Sequence, residues 1–426
     1  MKQLLFVLIL FFSQFVIGQQ TPVFNDLNKN NPGKNHRIKP DQAALESYAY
    51  LNDLRLQAGM IPFRLNAILN AAAKGHSDYL YEHKQWGHNQ QWGRSSFTGS
   101  RPLDRILAAG YLSRHNSENV SSHTGRATSK KSINGLMSAI YHRFGFLSFG
   151  YNEIGVGHTS DGNFHSYVYN MGNSKKVALC SGQPQQITSG QYIYKVCLDE
   201  SRKIKTASFE QALKSIQLEN TGIVVWPPNN GENVPPAFYE ESPDPLPEYD
   251  VSGYPVSVQF NPAIYTGNRP LVTRFELFQN TTGEQVKIIK LLNKDTDPNR
   301  KFSDFEYAIF PENRLEWNTL YRAEVEYLTP DHKAHKITWI FRTASFDVPL
   351  YKVSGGEVIH PEHATFAVYS PPTSRHDAKS EYQVSYHRFK DVKVKILDAH
   401  TLIISPIGEK GRATFSFHGK KFTVVK

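Results

Sequence analysis

Apolar positions recur at helical spacing only in the first part of the chain. From Asp41 onward Leu45, Tyr48, Leu51 and Leu54 fall three apart, and Gly59 stands where a helix C-terminus favours a left-handed residue, so one helix is expected there. After Asn66, a residue suited to cap an N-terminus, Leu69, Ala72, His76, Tyr79 and Leu80 form one stripe of a second helix. A third, short helix is expected from Pro102 to a stop at Gly110, and Ile133, Leu136, Met137 and Ile140 suggest a fourth. The period then changes to two. Ile154, Val156 and His158 lead through the turn Thr159-Ser160-Asp161-Gly162-Asn163 into Phe164, Ser166 and Val168, a β-hairpin pattern. These elements predict a mixed α and β domain over residues 41–174.

Residues 175–250 read as a connecting region. Two short strand-like runs surround Cys180 and Cys197, and Ser208-Phe209-Glu210-Gln211 resembles a capping box that opens a helix. Pro227, Pro228, Pro235, Pro236, Pro243, Pro245 and Pro247 do not suit a sheet interior, so the tract is expected to be a stiff extended spacer. Beyond Asp250 helical periodicity disappears. Pro255 to Phe260, Val272 to Phe278, Gln285 to Leu291, Phe305 to Phe310, Leu320 to Tyr327 and Lys336 to Arg342 predict an immunoglobulin-like β-sandwich over 251–345. A second set, from Ala364 to Tyr369 through Phe422 to Val425, predicts a C-terminal β domain over 346–426. The fold class is therefore multi-domain α+β.

The N-terminus changes the compartment. Met1-Lys2-Gln3, the apolar run Leu4 to Ile17 and the small Gly18 make a secretion signal over 1–18, shorter than the roughly 20 apolar residues of a spanning helix. The chain is expected outside the cytoplasm, secreted or periplasmic. In that setting Cys180 and Cys197 are expected to form a disulfide, and two cysteines exclude both a disulfide-dense miniprotein and a cysteine zinc finger. Of the 426 residues 48 are Lys or Arg and 39 Asp or Glu, a net charge of +9, and residues 19–174 carry 16 basic against 10 acidic groups. Such a surface favours anionic polysaccharide, cell wall or lipid as partners. No nucleic-acid motif accompanies it, and the sequence does not indicate an oligomeric state.

Several enzyme signatures are missing: a phosphate loop, a dinucleotide glycine pattern and HExxH. Gly145 is one residue too far from Ser148 for a nucleophile elbow, and His360 and His363 read as an exposed pair without a third ligand. Polar loop residues instead gather at Gly87-His88, Ser117-Glu118-Asn119 and His142-Arg143. Together with Leu51-Asn52-Asp53-Leu54-Arg55, Ala72-Ala73-Lys74-Gly75-His76-Ser77-Asp78, Ala109-Gly110-Tyr111, Leu136-Met137 and Asn152-Glu153-Ile154-Gly155-Val156-Gly157, this order resembles the CAP (SCP-like) superfamily of cysteine-rich secretory, antigen 5 and pathogenesis-related proteins, in its bacterial form.

The resemblance covers roughly residues 41–172 and implies an α-β-α sandwich with an open cleft lined by His88, Glu118, Asn119 and His142. Many eukaryotic members carry a second cleft glutamate three residues before the second histidine, where this chain has Ala139. Leu136 stands in place of the family tryptophan and Ser117 in place of the glycine before Glu-Asn. Two imidazoles and one carboxylate, His88, His142 and Glu118, could hold a divalent cation such as zinc with a fourth position open, or could be a hydrogen-bonded network that pins three loops. His76 is expected to be a core histidine and Glu153 a structural or rim residue. No residue is assigned as catalytic and no cofactor is required. The favoured function is extracellular recognition of lipid, cell-wall or glycan ligands through the cleft. The alternatives are a metal-assisted secreted hydrolase or peptidase, and an adhesive or structural protein that binds through its β domains.

Overall fold

The computed structural model describes residues 41–183, 189–265, 269–378 and 380–426. The expected signal at 1–18 lies outside them. The first helix, α1 (Gln42–Gln57), starts at Asp41, whose carboxylate accepts from the Ala44 amide at 2.8 Å. Asn66 caps α2 (Ala67–His83) by accepting from the Ile68 and Leu69 amides at 3.0 and 3.1 Å. The short α3 (Pro102–Ala108) follows, with proline in its first turn. The expected fourth helix is two helices, α4 (Ser129–Ser138) and α5 (Ile140–Phe146), because Ala139 between them is extended at ψ 115°.

Four strands, β1 (Arg64–Leu65), β2 (Asn116–Thr124), β3 (Glu153–Ser160) and β4 (Phe164–Gly172), form one sheet in the order β1-β3-β4-β2. Alternation along β4 sends Tyr167 and Tyr169 into a core with Leu51, Leu54, Ile133 and Met137, while Val168 packs with Ala73, Tyr79 and Leu80 of α2. Helices thus cover both faces. The glycines of the Gly-Val-Gly run are required by this packing: a Cβ on Gly155 or Gly157 would stand 2.0 or 2.3 Å from the backbone of Leu69 or Ala73. Asn70 on α2 accepts from the Val156 amide at 2.8 Å and fixes the same contact.

Cys180 lies in a helix, α6 (Ser174–Ser181), rather than in the expected strand, because Asn173 caps that segment by accepting from the Lys176 amide at 2.9 Å. Its disulfide partner is Cys197, as the compartment predicted. The next helix, α7 (Thr206–Gln217), begins two residues before Ser208, so the capping-box pattern lies inside its first turn.

The proline tract is more than a spacer. Ile223–Trp226 completes a four-stranded sheet with 288–292, 306–311 and 256–260, and Gly231–Val234 completes a second with 271–279, 320–328 and 334–343. These two sheets make the sandwich, and it therefore begins before residue 251. Two further four-stranded sheets make up the C-terminal sandwich over strands 350–352 to 420–425.

One apolar core joins the first two parts. Leu51, Met60 and Met137 belong to the same buried cluster as Trp226, Val256, Phe260 and Trp339, and Ile140 and Phe144 of α5 pack with Phe238, Leu246 and Phe302. Arg143 is fully buried and donates to the carbonyls of Met137 and Pro255 at 2.7 and 2.8 Å and to Ser257 Oγ at 3.0 Å. The C-terminal sandwich has its own cluster, including Phe366, Leu402, Phe415 and Val424. It is joined to the first sandwich by the paired guanidinium and carboxylate of Arg314 and Asp398. Among the described residues no helix is long and apolar enough to cross a membrane.

Candidate functional site

His88 lies in the loop after α2, Glu118 and Asn119 on β2, and His142 in α5. These segments meet. His88 Nδ1 is 3.0 Å from Glu118 Oε1, and the His88 and His142 rings stack with centroids 6.2 Å apart and planes within 14°. Asn119 does not face a ligand: its amide donates to the His142 carbonyl at 2.8 Å and lies where a Cβ on Gly145 would intrude at 3.1 Å. It fastens α5 to β2.

Glu118 is committed. Both oxygens accept from Arg105 Nη2 at 2.8 Å, a residue of α3 that sequence reasoning did not single out. Asn170, with its amide turned to satisfy its neighbours, donates to Glu118 Oε2 at 3.1 Å. Burial, the largest influence, raises the Glu118 pKa, yet the His88 hydrogen bond and the charges of Arg105, His76 and His88 outweigh it and leave the carboxyl lowered. His76 is the buried core histidine expected. Its Nε2 meets the Gly87 carbonyl at 3.1 Å and its Nδ1 meets Gln90 Nε2 at 3.0 Å, so it is neutral with the proton on Nε2. Burial, partly offset by Glu118, brings its pKa down to about 4.

A second carboxylate enters from outside the N-terminal domain. Glu241, in the proline tract, has Oε1 2.7 Å from His142 Nδ1 and accepts from the Tyr141 and His142 amides at 2.9 and 3.2 Å. Ala139, the residue before α5, has no side chain to cap that helix, and Glu241 supplies the acceptor. Beside it the Tyr141 hydroxyl donates to Asp297, and Asn299 donates to the same hydroxyl at 2.9 Å. Burial, followed by the hydrogen bond to Asp297, raises the Tyr141 pKa.

The three-ligand metal set His88, Glu118 and His142 is not assembled. Arg105 holds both Glu118 oxygens, and among the described residues these atoms do not form a group within metal-binding reach of one another. The cleft instead offers two imidazoles, each with Nδ1 on a buried carboxylate and Nε2 left for an incoming group. Glu153 is structural as expected: it accepts from the Tyr111 hydroxyl at 3.2 Å and from Asn66 at 3.3 Å, and burial raises its pKa.

The family model described as CAP, the cysteine-rich secretory protein family, matches residues 48–171. This segment is a CAP domain. Three solved structures of low similarity align with the chain. An outer surface protein of Borrelia burgdorferi is 17% identical over 32% of this chain and 96% of its own, with a TM-score of 0.27. An extracellular protein with an SCP domain from Bacillus anthracis is 17% identical over 30% of this chain and 39% of its own, with a TM-score of 0.26. A cysteine-rich secretory protein of Staphylococcus aureus is 20% identical over 34% of this chain and 45% of its own, with a TM-score of 0.23. The chain thus spans less than half of the length of the latter two. No curated protein matches it. In this CAP domain position 139 lacks the second glutamate, and the carboxylate on the second histidine comes from a residue about 70 positions beyond the domain's end.

Proposed function

We propose that the chain is exported and that its CAP domain is a recognition module for a cell-wall or other polysaccharide, bound at the cleft of His88 and His142. The observation that carries the reading is the loop that presents His88. It also presents Trp92, which is 85% exposed, and Trp86, which is 59% exposed although its indole N–H donates to the Ser122 carbonyl at 3.2 Å and its ring meets Phe164. An indole left in water forgoes a large burial gain, and its π face suits the C–H face of a sugar ring while imidazole nitrogens bond the hydroxyls. The net charge of +9 favours an anionic polymer. Recognition is preferred to turnover because both carboxylates are tied to structural donors, and neither imidazole bonds a hydroxyl or thiol among the described residues.

The test is co-sedimentation of the purified chain with insoluble peptidoglycan and with acidic and neutral polysaccharides. Wild type should be retained on at least one of them, while Trp92→Ala keeps its melting midpoint, His88→Ala still melts cooperatively, and both lose retention at least tenfold. Equal retention of the variants would refute the assignment to this loop. Release of soluble sugar would replace recognition by hydrolysis, and binding only to lipid vesicles would replace the ligand class.

A further inference from the structure

We propose that Asp377, His400 and His418, in the C-terminal sandwich, form a binding site for a divalent transition-metal ion of the zinc class, separate from the cleft. The three come from different turns. His418 and Gly419 make the two-residue turn between strands 412–417 and 420–425, both with positive φ, at 53° and 70°. A side chain at such a turn ordinarily points to solvent, yet the His418 imidazole is only 3% exposed. His400 sits in the turn between strands 391–398 and 401–407 and is entirely buried. The rings stack with centroids 4.6 Å apart.

The hydrogen bonds fix which nitrogens carry protons. His418 Nε2 faces the Ala399 carbonyl at 2.7 Å and must donate to it, which leaves Nδ1 facing Asp377 Oδ1 at 2.7 Å. His400 Nδ1 must donate to the Ser370 carbonyl at 3.1 Å, which leaves Nε2 as a buried acceptor with no partner. Asp377 Oδ2 is held by the Thr373 amide and hydroxyl at 2.9 and 3.0 Å. Each side chain is therefore anchored at its far atom, by a backbone carbonyl for the two imidazoles, which is how metal-bound histidines are oriented. One ligand atom from each lies within 4.8 Å of the other two.

A lone pair on His418 Nδ1 cannot face a carboxylate oxygen unless a positive species lies between them. A proton answers for that pair alone and leaves His400 Nε2 unpaired. A cation shared by one ligand atom from each of the three residues answers for the pair and engages His400 as well. Two imidazoles and one carboxylate suit zinc-like ions rather than calcium or magnesium, with water in a fourth position. Bonds of about 2.1 Å set tetrahedral ligand atoms roughly 3.3 Å apart, so the 2.7 Å contact opens and the widest spacing closes by up to about 1.5 Å, within the reach of small χ rotations. Arg314, the cation that acts on His400, is itself paired with Asp398.

The test uses the full chain stripped with a chelator and titrated calorimetrically with zinc chloride alone. One zinc per chain should bind to wild type and to His88→Ala alike, and affinity should fall at least 100-fold in Asp377→Asn, which keeps size and shape, and in His400→Phe, which keeps a stacking ring. Cobalt bound to wild type should give the intense visible absorption of a four-coordinate site, and zinc-edge X-ray absorption should report two imidazoles, a readout that needs no variant. Absence of zinc binding by wild type overturns the proposal. So do unchanged affinity in Asp377→Asn and loss of binding in His88→Ala alone, the latter placing the ion in the cleft.

Discussion

Glu241→Ala is the substitution that most directly probes how the cleft is built. The wild-type carboxylate serves three donors: the Tyr141 and His142 amides and His142 Nδ1, at 2.9, 3.2 and 2.7 Å. Alanine strands all three. The imidazole can recover by moving its proton to Nε2, so the lasting loss is two amides at the start of α5. A stranded buried donor costs about 1–3 kcal/mol and a lost helix cap about 0.5–2 kcal/mol. Against this, Glu241 Oε2 is itself buried without a partner, so the wild type already bears part of a desolvation cost that alanine removes. The net expectation is a loss of about 2–4 kcal/mol, whereas Glu241→Gln, which keeps an accepting oxygen, loses about 1 kcal/mol. Urea unfolding of the chain measures the totals, and amide exchange at Tyr141 and His142 reports the site. The amides should exchange much faster in Glu241→Ala. A loss under about 0.5 kcal/mol with unchanged exchange would refute the claim that this carboxylate closes α5 and orients His142.

Two further outcomes follow from the same physics. Cys180 and Cys197 should label with a thiol reagent only after reduction, and Cys180→Ser with Cys197→Ser should destabilise by about 3 kcal/mol, the closure entropy of a loop of this length; labelling without reductant would contradict the bridge. The acid side of the stability profile should show two steps. His76, with its pKa brought from 6.5 to about 4, resists the proton that the unfolded chain accepts, so stability falls as pH drops from about 6.5 toward 4. Glu118, lowered from 4.5, contributes stability that is complete above about pH 4.5 and is lost below it. Melting midpoints measured from pH 8 to 3 should show both steps in wild type, with the upper one reduced but not abolished in His76→Gln, because burial also brings His115, His123 and His400 down to about 4; an upper step undiminished in His76→Gln would contradict the burial of His76.

The elements most legible in the sequence were those whose signal is local. Asp41 and Asn66 cap the helices they precede because their short side chains reach amides two or three residues on. The β-hairpin of β3 and β4 follows from alternation and a five-residue turn. The proline tract carries two strands despite its composition. Proline is excluded from the middle of a sheet, but Ile223–Trp226 and Gly231–Val234 each stand at the edge of their sheet, with Pro227 and Pro235 just past their ends, where a missing N–H costs nothing. Such strands are too short for an alternating pattern to rise above their surroundings. The break between α4 and α5 left no mark either, since Ala139 favours a helix and is extended because the chain must turn to bring Ile140 and Phe144 onto the sandwich.

The cleft divides in the same way. His88, Glu118, Asn119 and His142 were legible through motif order, and the structure brings their segments together, but it gives them unequal parts: two imidazoles open to a ligand, one carboxylate neutralised by Arg105, and one amide that fastens α5. Arg105 had no sequence signal beyond a basic residue near a helix end. Glu241 had less, standing 99 positions from His142 among prolines. Both are long-range partners, and pairing at that distance is decided by which segments the cores bring together. For Glu241 the deciding contacts are those of Phe238 and Leu246 with Ile140 and Phe144, which flank it on either side in sequence and hold the tract against α5. The carboxylate on His142 is therefore held in place by the same packing that joins the sandwich to α5. A fragment ending at residue 174 keeps His142 yet has no carboxylate for it, exposes Ile140 and Phe144, and leaves Arg143 without its acceptors on Pro255 and Ser257. The cleft is accordingly built by the CAP domain together with its sandwich, and the position that Ala139 leaves without a carboxylate is served from the second of these.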